Sequence, residues 1–366
     1  MHTLITFIII LGLLVFIHEL GHFVMARILG VRVKEFGFGF PPRLWGIRRG
    51  GTTYSINWIP LGGFVRLHGE DGEEHDAGSF VAQRAWKRLL ILIAGVSMNV
   101  VLAAAVFGVG FAIGLPTDMS AGVPAGGHVR DIQVQVVEVA ENSAASSIGL
   151  QPGDGLLSLN GQNISSIEDA QRIARDAGAA SVAISYRRSG NIEQSTVQLA
   201  KIPETNLIGL GVSLVKVGTV SYPFYRAAWE GIIAAGSALW AILQAFGQLV
   251  ENLARTGSVG GDVAGPVGIA VLTGQVSRLG FAYLLQFIAL LSLNLAIINI
   301  LPIPALDGGR VLFLVIEKLR GKPISRVSEA KIHNAGFAIL IALVALITFR
   351  DVIKLDAFQS LWNRIF

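Results

Sequence analysis

Two histidines and a glutamate set the first constraint on this chain. His18, Glu19 and His22 stand as His-Glu-Leu-Gly-His, an HExxH spacing inside the apolar run Thr3 to Met25. Residues at i and i+4 share one helix face. Both imidazoles can therefore approach one Zn²⁺, and the intervening carboxylate can reach a water beside it. With 7 His and 25 Asp+Glu in 366 residues, roughly 0.01 such matches arise by chance. A lone polar histidine satisfied by a neighbouring helix explains one such residue, not three on adjacent turns in hydrocarbon, where ionisable groups are costly. Zinc that keeps a position for water takes three protein ligands. Asp307, in Asn299-Ile300-Leu301-Pro302-Ile303-Pro304-Ala305-Leu306-Asp307-Gly308-Gly309, is the candidate third; its competing role is to cap a helix after a proline break. The chain has no cysteine, which excludes thiolate ligands, disulfides and a cysteine nucleophile.

These residues need elements to hold them. The chain is 52% hydrophobic and 15% charged, against about 25% charged in soluble domains, which excludes a disordered chain and most soluble enzymes. Its net charge of +4 is too mild to imply nucleic acid. Four runs are long enough to span a bilayer or nearly so: Thr3 to Met25, Leu89 to Leu115, Phe281 to Leu301 and Ala335 to Phe349. The first lacks the basic start and small-residue cleavage site of a leader. A fifth stretch, Ala227 to Val250, contains Glu230, Gln244 and Gln248 and is expected to lie along the interface. Basic residues crowd Ala26 to Arg88 and recur from Arg310 to Lys331, so both segments are expected to be cytoplasmic and the N-terminus outside. Four spans satisfy this pattern. His18 then lies roughly 10 Å from Met25 at the cytoplasmic end of the first span, and Asp307 follows the cytoplasmic end of the third, so the two can share one depth.

Between the second and third spans lie about 165 residues, too many for a simple loop. Ile132, Val134 and Val136 alternate with polar residues as in a strand. Pro152-Gly153-Asp154-Gly155 and Asn160-Gly161 read as turns around a strand Leu156 to Leu159, and Ser166 is expected to cap a helix through Ala170, Ile173 and Ala174. Val182 to Tyr186 and Gln194 to Leu199 supply further strands. Ser146-Ser147-Ile148-Gly149-Leu150-Gln151-Pro152-Gly153-Asp154 followed by Leu159-Asn160-Gly161 resembles the bacterial PDZ pattern. Such domains bind peptides by adding a strand to a sheet edge. The resemblance implies that Ile208, Gly209 and Leu210, with Gly211, form a loop that accepts peptide termini.

Taken with that PDZ unit, Phe16 to Phe23 (FIHELGHF) and Leu306-Asp307-Gly308 resemble the site-2 protease family of intramembrane zinc metalloproteases, and within it the bacterial regulator-of-sigma-E protease group. Phe36-Gly37-Phe38-Gly39-Phe40, Ile59 to Val65, Ala94-Gly95 with Asn99, and Gly265-Pro266-Val267-Gly268 extend the match over most of the chain. Two features depart from the family: Val96 stands where proline is usual, and there is one PDZ unit where some members have two. The resemblance implies metal ligands His18, His22 and Asp307, Glu19 as catalytic base, and Zn²⁺ as cofactor. It also implies substrate handling by Asn294, Asn299, Gly62 and Gly63; interhelical hydrogen bonding is the alternative for the two asparagines. Phe36 to Phe40 and Tyr54 to Val65 read as strands that pair with an unwound substrate.

The expected fold class is a membrane α-helical protein with four transmembrane helices, a membrane-associated β-hairpin region and an inserted α+β PDZ domain. Its expected divisions are a first membrane half (1–125), the PDZ domain (126–214), an interfacial segment and linker (215–280) and a second membrane half (281–366). The expected function is hydrolysis of single-span membrane proteins, such as anti-sigma factors or signal-peptide remnants, in a bacterial inner membrane. The PDZ domain would lie outside and the active site near the cytoplasmic side. A zinc-containing scaffold that only presents its PDZ domain is the alternative. A transporter is disfavoured by the absence of internal repeats. His68 and His75 lie among acidic residues, and a solvated acidic loop is the default reading there.

Overall fold

A computed structural model describes residues 2–70, 74, 76–120, 122–140, 143–188, 190–202, 208–257, 264–322 and 324–354. His75 lies outside them, as do residues 258–263 in the glycine-rich connection. The elements run α1 (His2–Ile28), β1 (Val33–Arg49), β2 (Thr52–Leu67), α2 (Ala85–Ile113), β3 (Leu115–Asp118), β4 (His128–Val139), α3 (Ala144–Ser147), β5 (Gly155–Leu159) and β6 (Gln162–Asn163). There follow α4 (Ile167–Ala177), β7 (Ser181–Arg188), β8 (Asn191–Gln198), β9 (Ala200–Lys201), β10 (Ile208–Gly209) and β11 (Val212–Ser221). The chain ends with α5 (Phe224–Thr256), α6 (Pro266–Leu279), α7 (Phe281–Ile300), α8 (Asp307–Arg320) and α9 (Arg326–Lys354). Two compact units result: Met1–Phe107 with Gly231–Ser277 and Leu285–Phe366, and Gly108–Glu230 with Arg278–Leu284.

Among the described residues, α1, α2, α5, α7 and α9 are long and apolar enough to cross a membrane. The sequence reading counted four and laid 227–250 along an interface. By length and composition α5, at 33 residues, qualifies as well. In α1 the buried positions include Ile10, Leu14, His18, Gly21 and His22, a helical spacing that puts both histidines on the packed face. The run read as Leu89 to Leu115 ends earlier as a helix, at Ile113. Gly114 takes a positive φ, and Leu115 begins a strand that contains Pro116.

In the first unit, β1 and β2 form a curled antiparallel sheet rather than a plain hairpin. Phe36 pairs with both Tyr54 and Val65, and Phe38 with both Ile56 and Gly63, while residues 43–49 pair back onto 52–57. Segments 43–49, 52–57, 35–38 and 63–67 therefore lie side by side, with 43–49 outermost at one edge and 63–67 at the other. The curl encloses Glu35, which accepts from Arg43 Nη2 at 2.6 Å and Ser55 Oγ at 2.8 Å; buried carboxylates require such partners. Leu44, Trp45, Ile47 and Trp58 remain exposed on it. His68 is closed into ion pairs with Glu74 and Asp76, at 3.1 and 2.7 Å. Its two ring nitrogens turn to different carboxylates, an arrangement that serves charge pairing.

The second unit is built on one sheet with strands in the order β3-β11-β4-β5-β7-β8, and β6 beside β5. It exceeds the sequence range 126–214 at both ends, taking in β3 and extending β11 to Ser221. Val134, Val136, Leu156, Leu159, Val182, Ile184 and Val197 form its core with Ile173 and Ala174 of α4. Ser166 is the N-cap of α4, its side chain accepting from Asp169 N–H at 3.1 Å. Hydrogen bonds from Ser165 hold the Asp169 carboxyl down at about 2. Buried Asp154, in the turn before β5, is held by Arg188 of β7 at 2.5 and 2.8 Å. At the start of α7, Tyr283 donates to Gln135 Oε1 at 2.9 Å.

Candidate metal centre

The packed face of α1 meets the loop between α7 and α8 at one point in the first unit. His18 Nε2 lies 2.9 Å from Asp307 Oδ2 and 3.2 Å from His22 Nε2, and His22 Nε2 lies 3.2 Å from Asp307 Oδ2. Among the described residues, this is the group of three whose ligand atoms lie close enough to hold one ion. A tetrahedral ion with bonds of about 2.0–2.1 Å spaces its donors roughly 3.3 Å apart, so the triangle has the dimensions of a zinc site. Two nitrogens and one carboxylate oxygen also match the ligand chemistry of a catalytic zinc, which leaves a fourth position for water.

The rings are oriented from behind. His22 Nδ1–H donates to the Ile91 carbonyl at 2.8 Å, leaving the Nε2 lone pair toward the triangle. His18 Nδ1 lies 3.3 Å from Asn99 Nδ2, while Asn99 Oδ1 is buried without a partner among the described residues. Turning the amide over places that oxygen on His18 Nδ1–H, satisfies it, and frees Nε2 in the same way. Asn99 is fully buried, and its backbone carbonyl accepts from Ser292 Oγ of α7 at 2.8 Å. Glu19 Oε2 accepts from Val65 N–H of the outermost sheet segment at 3.1 Å, which ties the carboxylate to that strand.

The proline break ends α7, and Asp307 is the first residue of α8. The N-cap is Leu306, with no side-chain cap hydrogen bond, so Asp307 does not act as the cap that was the alternative for it. α8 begins with Gly308 so close to α7 that a Cβ there would stand 2.2 Å from the Ile300 and Leu301 carbonyl oxygens. Across the site, Gly95 of α2 faces the rings. A Cβ on it would stand 2.4 Å from His22 Nε2 and 2.8 Å from His18 Cε1. Both rings are tied by hydrogen bonds and cannot yield. Gly95→Ala is therefore expected to weaken zinc binding by at least about tenfold, the scale of a disturbed ligand surround. Zinc per polypeptide after dialysis against a competing chelator checks this; stoichiometric retention would refute it.

Other sequence candidates are placed less centrally. Gly62 and Gly63 are buried in β2, with Gly62 beside Val15 of α1 and Gly63 paired with Phe38. Asn294 donates to Leu290 O of its own helix at 2.9 Å, and Asn299 is half-buried near the end of α7. In the second unit, Ile208 and Gly209 form β10, paired with β9. Leu210 is a core residue whose carbonyl accepts from Ala145 N–H at 2.8 Å. The sequence points to Asn99 without its role, to Val65 only as the end of a strand, and not to Ile91. The last two act through backbone groups, which no residue type reveals.

The model of peptidase family M50 matches residues 6–343. A Clostridium perfringens protein named as a zinc metalloprotease is 33% identical over 340 residues, covering 93% of this chain and 95% of its own. The zinc metalloprotease RasP of Bacillus licheniformis is 30% identical over 441 residues, covering 97% and 100%. Among solved structures, the PDZ domain of the SdrC-like protein of Listeria monocytogenes matches with a TM-score of 0.22 at 23% identity, covering 24% of this chain and 92% of that one.

Proposed function

Because the chain belongs to peptidase family M50 and is a zinc-dependent metalloendopeptidase, we propose that it cleaves single-span membrane proteins within or beside the bilayer, with His18, His22 and Asp307 as metal ligands and Glu19 as general base. The observation that carries this reading is the donor triangle of 2.9–3.2 Å with Glu19 one residue from a ligand. Bound there, zinc supplies a Lewis acid and lowers the pKa of water toward about 7. Glu19 takes the proton from the attacking water and returns it to the departing amine. Val65 N–H steadies the carboxylate while it does so.

A helical substrate hides its carbonyls in hydrogen bonds and must be locally extended. Irregular backbone at membrane depth is tolerated only inside protein or a wet cavity. The outermost segment 63–67 supplies an edge on which an extended chain can be laid as an added strand next to Glu19. Gly62 and Gly63 lie at the start of that edge, and Asn294 and Asn299 would contact substrate from α7. Exposed Trp45 and Trp58 suit an interfacial position for the curled sheet. In this reading four helices span, α5 lies along the interface, the active site is near the cytoplasmic side of an inner membrane, and the sheet-rich unit is outside. That unit is a PDZ domain in which the loop Ile208 to Leu210 receives the termini of substrates already shortened, with anti-sigma factors and signal-peptide remnants as candidates.

The test is reconstitution of the full chain in liposomes with a single-span substrate. Cleavage is expected to stop on chelation and return with stoichiometric zinc. Chelator-resistant cleavage would defeat the proposal, and metal-independent peptide binding with no cleavage would favour the scaffold instead.

A further inference from the structure

His333 lies in the polar first part of α9, close in sequence to Glu329, Lys331 and Asn334 and just ahead of the apolar run that begins at Ala335. The residue is half-buried, and buried polar groups take hydrogen-bond partners. Its partner is the loop that delivers Asp307. Ala305 N–H donates to His333 Nδ1 at 2.9 Å. Ala305 has φ 81°, in the left-handed region that residues with a Cβ rarely occupy. It lies two residues before Asp307, between the proline break and the N-cap Leu306.

The same face of α9 makes a second approach. Gly336, three residues from His333 and so its neighbour on the helix surface, packs so that a Cβ there would stand 2.5 Å from Pro304 Cβ. Phe313 of α8 packs on the His333 ring, with centroids 5.2 Å apart. Because Nδ1 accepts, the proton of the neutral ring sits on Nε2, which is buried and has no partner among the described residues. An unsatisfied N–H is retained at a cost, and the structure shows what the ring supplies in exchange: an acceptor for a backbone amide in a strained turn.

We propose that His333 is a positioning residue for the metal centre: through Ala305 N–H it holds the α7–α8 turn in the conformation that presents the Asp307 carboxylate to His18 and His22. This rests on the reading of Asp307 as a ligand. Nothing in the inference requires His333 to touch metal or substrate.

The test uses the purified full chain loaded with zinc, with release into excess chelator followed by a zinc-sensitive dye. His333→Phe keeps a ring of similar size and removes the acceptor; it is expected to release zinc about tenfold faster than the parent, the scale seen when support behind a ligand is lost. His333→Asn keeps an acceptor near the Nδ1 position and is expected to stay within about threefold of the parent. Asp307→Asn is the control and is expected to release zinc faster than either. Parental release by His333→Phe overturns the inference. So does equal loss in the Phe and Asn variants, which would point to ring packing instead. Parental release by Asp307→Asn would instead overturn the ligand assignment itself, which keeps the two failures apart.

Discussion

Glu19→Gln is expected to lower kcat/KM for a reconstituted single-span substrate by about a thousandfold or more, within the range for loss of a general base, while zinc stays bound. The variant separates chemistry from structure because so little else changes. A glutamine carbonyl still accepts from Val65 N–H, now 3.1 Å from Glu19 Oε2, so the side chain keeps its tether to the outer sheet segment. Glu19 is not within the donor triangle, so the proposed metal ligands are untouched. What is lost is the ability to take a proton from water and hand it to the amine. Initial rates with wild-type and variant protein at equal zinc content decide the matter. A variant that cleaves at even a tenth of the parental rate would remove Glu19 from the role of base.

Asp307→Asn is expected to have the second large effect, on metal affinity before activity. In the proposed site the carboxylate would supply the negative charge beside two neutral imidazole ligands, and an amide oxygen is a far weaker partner for zinc. A loss greater than about 100-fold in affinity is expected, beyond the 10–100-fold typical of changes behind the ligands. Competition with a chelator of known affinity, read as zinc per polypeptide, measures it. High zinc should restore part of the activity of this variant and none of that of Glu19→Gln. The opposite pattern would mean that the two carboxylates have exchanged roles.

Much of this was legible before folding, and the reasons differ by element. HExxH is readable because the spacing of four is a local property of a helix: once α1 forms, both histidines share a face. Apolar runs and proline breaks are likewise local, so α1, α2 and α7 begin and end close to where hydropathy and Pro302 predict. α5 is the counterexample, since length and composition admit both a crossing and an interfacial helix. The curled sheet was read as strands but not as the arrangement in which Phe36 lies between Tyr54 and Val65. Alternation sets which residues extend, and long-range pairing sets which edges meet. His333 carried no pattern at all, because its partner is a backbone amide 28 residues away.

The sequence by itself determined the kind of chemistry: two imidazoles and a carboxylate on one apolar helix, an aspartate beyond a proline break, no thiol, and a separate β-rich insert. These follow from residue type and short-range periodicity, which survive in any conformation the helix and strands can take. Only the tertiary structure decided that Asp307 turns toward the histidines rather than capping α8, that Asn99 and Ile91 orient the rings, and that Gly95 leaves room for them. Each of those facts joins groups on different elements. Their distances are set by how helices pack and which buried polar atoms must be satisfied, quantities that exist only once the chain has closed on itself.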